Sequence, residues 1–129
     1  MSNYTFAIRT DVERNLMYIE QKGRPTAADF LDLKRAFLVE LEKLRPGFSI
    51  VNDQREFEAY DEEAMEVAKE LVSVTSQHGA ARVIRIVPAD LLTTVIISST
   101  LVEGKSQYAS IRVTSPEEAE AALIELSGA

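Results

Sequence analysis

The chain has no cysteine, no tryptophan, one histidine and five scattered glycines. Without cysteine there are no disulfides, thiol nucleophiles, iron–sulfur clusters or thiolate zinc sites. The scattered glycines form no Gly-rich phosphate loop. The lone histidine, His78, precedes Gly79 at the expected end of a helix. A protonated imidazole there meets the helix dipole favourably, so a capping or solvated role is the plain reading. A couple with Ser76, Ser98 or Ser99 lacks a Gly-x-Ser-x-Gly setting. Basic charge is also short: 14 Lys and Arg stand against 21 Asp and Glu, a net charge of -7. That balance disfavours nucleic acid as a partner and suits a basic protein. Long apolar runs are missing too. The stretch Leu91 to Val102 is interrupted by Thr93, Thr94, Ser98, Ser99 and Thr100, and is too short and polar to span a bilayer. The start, "MSNYTFAIRTD", lacks the basic and apolar regions of a signal peptide. A soluble cytoplasmic protein with no cofactor and no metal is expected.

What the chain does have is an alternation of strand-like and helix-like segments, within a length suited to one domain with a real core. "YTFAIR" (Tyr4 to Arg9) and "LMYIEQ" (Leu16 to Gln21) flank a polar turn and predict a hairpin. Thr26 and Asp29 resemble a capping box, and Phe30, Leu33, Phe37, Leu41 and Leu44 follow at helical spacing until Pro46 and Gly47. "FSIVND" (Phe48 to Asp53) predicts a short central strand. A second helix is expected from about Asp61 to Gln77, and a fourth strand over "ARVIRIV" (Ala81 to Val87). Leu91 to Val102 fits either a strand or a helix. The preceding alternation favours a crossover helix. "YASIRV" (Tyr108 to Val113) predicts the fifth strand, and Ser115, Pro116 and two glutamates open a last helix. The order is ββαβαβαβα, an α/β fold with a mixed sheet of about five strands flanked by helices.

This order resembles the STAS domain of bacterial anti-sigma-factor antagonists, in particular its SpoIIAA-like branch. The residues that carry the resemblance are "SIVND", ending in Asp53, "DEEAM" (Asp61 to Met65) and the tail "YASIRVTSPEEAEAAL". In that family an Asp-Ser-Ser-Gly-type motif opens the helix after the central strand, and a serine there is phosphorylated. Here Glu62 and Glu63 stand at the serine positions, so the resemblance implies an interaction module without that phospho-switch. A glutamate carries one charge against about -1.5 to -2 for a phosphoserine, so it imitates the modified state only in part.

The acidic stretch "NDQREFEAYDEEAMEVA" (Asn52 to Ala68) holds the candidate site: Asp53, Phe57, Tyr60, Asp61, Glu62, Glu63 and Met65. The bland reading is a capped helix, with Asp61 as N-cap and two glutamates in the positive first turn. The sharper reading is a docking surface, acidic and rimmed by Phe57, Tyr60 and Phe48, which also read as lid packing. Asp53 and Asp61 are a weak acid–base candidate, because Arg55 favours an ordinary ion pair. Consecutive acids diverge on a helix and make a poor metal site. Arg85 reads as an exposed-edge residue or an ion-pair partner, with contact to a ligand carboxylate as the sharper reading that no second feature supports. Three functions compete. They are an interaction module whose partner is a protein, a second copy of the chain included; a binder of a small apolar ligand or lipid, with Leu91 to Val102 as one wall; and, least supported, an enzyme. The first is preferred.

Overall fold

The computed structural model describes residues 3–58, 62–88 and 108–127. The elements are β1 (Thr5–Asp11), β2 (Leu16–Gly23), α1 (Ala27–Leu41), β3 (Ser49–Phe57), α2 (Glu62–Gln77), β4 (Arg82–Ile86), β5 (Ala109–Val113) and α3 (Pro116–Ser127). The segment Leu91 to Val102, expected to be a crossover helix, lies outside the described residues, as do Tyr60 and Asp61.

The strands form one sheet in the order β1-β2-β3-β4-β5. The hairpin pair β1·β2 is antiparallel and the remaining pairs are parallel. A mixed sheet follows because a short turn reverses the chain, whereas each later step needs a longer crossover. The helix-one capping box forms as expected: the Asp29 amide donates to Thr26 Oγ1 (3.1 Å) and the Thr26 amide to Asp29 Oδ2 (2.8 Å). The helix ends at Leu41, earlier than its pattern suggested, so Lys43 and Arg45 fall beyond it. Ser115 caps α3, accepting from the Glu118 amide at 3.1 Å.

Two cores lie on opposite faces of the sheet. On one face, Phe30, Leu33 and Phe37 of α1 and Ala64 and Ala68 of α2 pack with Met17, Ile19, Ile50 and Val83 of the strands. On the other, Ala119 and Leu123 of α3 pack on Leu16, Val51, Ile84 and Ile86. Strand alternation explains the split, since neighbours such as Ile50 and Val51 point to opposite faces. Gly23 is fixed by a close approach. Its φ is +86°, and a Cβ there would lie 2.3 Å from the Asn3 carbonyl oxygen.

The third strand runs four residues further than the sequence suggested. Between the pairs Glu20↔Asp53 and Lys22↔Glu56, β2 contributes one residue and β3 two. This bulge reverses the alternation in β3. Phe57 therefore returns to the face of Ile50 and Asn52, and is 3% exposed.

Candidate functional site

The candidate acidic stretch is divided by the fold rather than gathered. Phe57 is a core residue, stacked on Phe30 at 6.3 Å between ring centroids and meeting Tyr4 edge-on at 6.4 Å. Phe48 is buried as well. Phe57 is therefore a correction to the candidate site, and both rings pack into the core, the bland reading, rather than rim a docking surface. The cause is the β-bulge for Phe57, and for Phe48 its place beneath α1 and α2.

Asp53 shares its face with Val51, on the α3 side of the sheet, whereas α2 packs on the other side. Its carboxylate pairs with Arg55 at 2.7 Å and also accepts from the Arg55 backbone amide at 3.2 Å. Burial pushes this carboxyl up, and the Arg55 hydrogen bonds outweigh it, leaving it below the usual carboxylate range. Asp53 is thus held ionised, as an ion-pair partner.

Glu62 and Glu63 form the exposed first turn of α2. Met65, one turn on, is half-buried against the α1/α2 core. So the structure keeps Glu62, Glu63 and Met65 together at one end of α2. Among the described residues no three acids or histidines converge on a metal position. His78 is exposed at the other end of α2, its Nδ1 3.0 Å from the Val74 carbonyl oxygen.

Arg85 departs furthest from expectation. It lies on interior strand β4, between β3 and β5, pairs in register with Asn52, and is 4% exposed. Its Nη1 donates to Gln54 Oε1 at 2.7 Å. It belongs to a buried polar row on the α1/α2 face. Tyr4 donates its hydroxyl to Gln21 Oε1 (2.7 Å), and Gln21 Nε2 donates to Asn52 Oδ1 (3.0 Å). The sequence carried a signal for this row. Gln21, Asn52 and Arg85 each stand two residues after a core residue, namely Ile19, Ile50 and Val83, and so share its face.

On the opposite face lies a groove of about 400 Å³. Val51, Ile86, Pro116 and Ala119 give it apolar walls, and Arg9, Tyr18, Glu20, Asp53 and Glu120 supply its polar groups. Its size falls within the range of small-ligand clefts. One wall is held by a cluster that the sequence does not advertise. Tyr18 OH donates to Glu120 Oε1 at 2.8 Å, Arg14 Nη2 donates to Glu120 Oε2 at 2.8 Å, and the Arg9 guanidinium lies 4.3 Å over the Tyr18 ring. The Arg14 and Tyr18 hydrogen bonds hold the Glu120 carboxyl below its ordinary value. Burial, with Glu120 next, pushes the Tyr18 phenol up.

No family model and no curated protein matches the chain. Solved structures do match it in shape. One is a protein from Shewanella loihica, of a family of unknown function, described as having a SpoIIAA-like fold. The TM-score is 0.73 at 13% identity, over 95% of each chain. Another is an anti-sigma factor antagonist from Mycobacterium paratuberculosis, with a TM-score of 0.60 at 12% identity over 94% of each chain. The chain has the SpoIIAA-like fold of STAS domains.

Proposed function

We propose that the chain is a non-enzymatic interaction module that docks a protein partner through the start of α2. The observation that carries this reading is the exposed pair Glu62 and Glu63 in the first turn, beside the half-buried Met65. Acid at this position stabilises the helix through its dipole. The same two charges face solvent, and they belong to a chain of net charge -7, so they favour a partner with a basic surface. Tyr60 and Asp61 complete the proposed surface, while Phe57 does not belong to it and Asp53 lies on the other face. With glutamate at both positions there is no hydroxyl to phosphorylate, so docking here is unswitched by serine modification. The anti-sigma factor antagonist whose shape the chain shares adds support for a signalling role.

The test is a pull-down from the native host, followed by binding measurements on the double variant Glu62→Gln, Glu63→Gln at two salt concentrations. Slower association with weaker salt dependence is expected. Unchanged affinity and salt dependence in a folded double variant would return both glutamates to helix capping alone. A second reading, a small apolar ligand, is favoured by the groove beside α3, with its apolar walls of Val51, Ile86 and Ala119.

A further inference from the structure

The first residues of β2, β3 and β4 form one row across the sheet. Leu16 pairs in register with Ser49, and Ser49 with Arg82. Leu16 belongs to the core on the α3 side, and Ser49 and Arg82 stand two residues before its members Val51 and Ile84. All three therefore share that face. Arg82 is half-buried, and its Nη1 donates to Ser49 Oγ at 2.6 Å. Ser49 takes one of the several N–H donors of the guanidinium. Among the described residues, no carboxylate pairs with Arg82. Arg14, Lys34, Arg35, Lys43 and Arg55 each have such a partner. Arg9, Arg24 and Arg45 have none among the described residues, but they are exposed. A half-buried guanidinium without a counter-charge is the exception, in a chain with 21 Asp and Glu.

A cleft of about 440 Å³ opens beside this row. Arg14, Ser49 and Arg82 give it polar groups, and Leu16, Leu123 and Ile124 give it apolar walls. Ile124 is 68% exposed, so the apolar surface continues to the mouth. The cleft shares no lining residue with the groove described above. Arg14 lines the cleft while its partners Tyr18 and Glu120 line the groove, so their cluster divides the two. The two arginines differ in what they offer. Glu120 pairs with Arg14 at 2.8 Å and compensates its charge, whereas the charge of Arg82 is uncompensated. We propose that this cleft binds a medium-chain aliphatic monocarboxylate, its head on Arg82 and its chain along Leu123 and Ile124. A single free positive charge suits a monoanion. A carboxylate fits the planar fork of a guanidinium, and the adjoining apolar wall favours an alkyl chain. The bland role for Arg82 is to complement the negative end of α3, which closes at Ser127. That end opposes an anion, but its effect fades within a turn and is screened by salt. The carboxylate would touch the guanidinium directly. None of these residues belongs to the start of α2, so this site stands or falls independently of the docking surface.

The probes are sodium propanoate and sodium hexanoate, titrated into the full chain at an ionic strength held constant with sodium chloride. Hexanoate should shift the Leu123 and Ile124 methyl resonances to saturation. It should bind more tightly than propanoate, by up to about fourfold for each added methylene that the wall covers. Arg82→Gln should weaken both by about tenfold or more, the loss expected when a charge-assisted contact is removed. Ile124→Gln, at an exposed position, should weaken hexanoate and leave propanoate nearly unchanged. Hexylammonium chloride carries the same chain on the opposite charge and should give no saturable shift. Four results overturn the inference: no saturable shift with hexanoate, an equal response to hexylammonium, no gain in affinity with chain length, or undiminished hexanoate binding in Arg82→Gln. A lower thermal midpoint in Arg82→Gln, with no hexanoate response in the wild type, would assign Arg82 to the helix dipole alone. If Arg82→Gln fails to fold, the chain-length series and Ile124→Gln decide, and undiminished hexanoate binding in Ile124→Gln overturns the inference.

Discussion

Tyr18 on β2 and Glu120 on α3 are joined by a 2.8 Å hydrogen bond between residues 102 positions apart in the chain. Arg14 reaches the same carboxylate at 2.8 Å and the same phenol at 3.0 Å. The three groups fasten the hairpin to the last helix along one wall of the groove. Glu120 is nearly half exposed, so each pairing contributes modestly, roughly 0.5–1 kcal/mol. Tyr18→Phe and Glu120→Gln should each destabilise by about that much. A double-mutant cycle should show coupling, with the double variant costing less than the two single effects together. Strict additivity in urea unfolding would mean that the hydrogen bond contributes nothing.

The same cluster fixes a pH dependence. The Glu120 carboxyl is lowered in the folded chain by Arg14 and Tyr18. A lowered folded value means stability that is fully present above the unfolded carboxylate pKa of about 4.3 and lost as pH falls through the folded one. Asp53, lowered through Arg55 against burial, acts in the same direction. The urea midpoint should therefore hold down to about pH 5 and then decline. Glu120→Gln should decline less steeply over that window. An identical pH profile for the variant would remove Glu120 as a contributor.

Phe57→Ala separates core from surface. Phe57 is buried and packed on Phe30 and Tyr4. Truncating such a ring should cost about 3–5 kcal/mol, through lost burial and the cavity left behind. Calorimetry or denaturant unfolding checks this. A loss below about 1 kcal/mol would contradict its place in the core.

Gly23→Ala tests the close approach at the end of β2. The φ of +86° disfavours an L side chain, and the new Cβ would collide with the Asn3 backbone. Destabilisation greater than about 1 kcal/mol is expected. A neutral result would show that the N-terminal strand shifts away without penalty.

Replacing Glu62 and Glu63 with glutamine should cost roughly 0.5–2 kcal/mol through the lost dipole interaction. That loss is expected whether or not a partner binds there. Thermal unfolding in low and high salt isolates it, since screening should shrink the difference between variant and wild type. A difference unaffected by salt would point to a local packing change.

Much of the fold was legible because its signals are local. Hydrophobic spacing located α1, Ser115 with Pro116 located the start of α3, and β-rich runs located the strands. These follow from backbone geometry and from side-chain periods of two or 3.6 residues, which act within a few residues of each other. The length of β3 was not legible. A bulge arises from how one strand registers against its neighbour, and nothing within "NDQREF" announces it.

The sequence by itself determined the αβ alternation, the caps, the acid at the start of α2 and the exclusion of thiol chemistry. Tertiary structure decided which polar residues meet. Gln21, Asn52 and Arg85 come from three strands, and only parallel pairing in one register brings them to one cavity beneath the same two helices. The same pairing turned Arg85 from an edge residue into a buried one, carried Phe57 into the core and left Asp53 on the far face. Local propensity acts along the chain, whereas burial and hydrogen-bond partnership depend on neighbours brought together across it. A site made from separate strands is therefore settled only when the sheet forms.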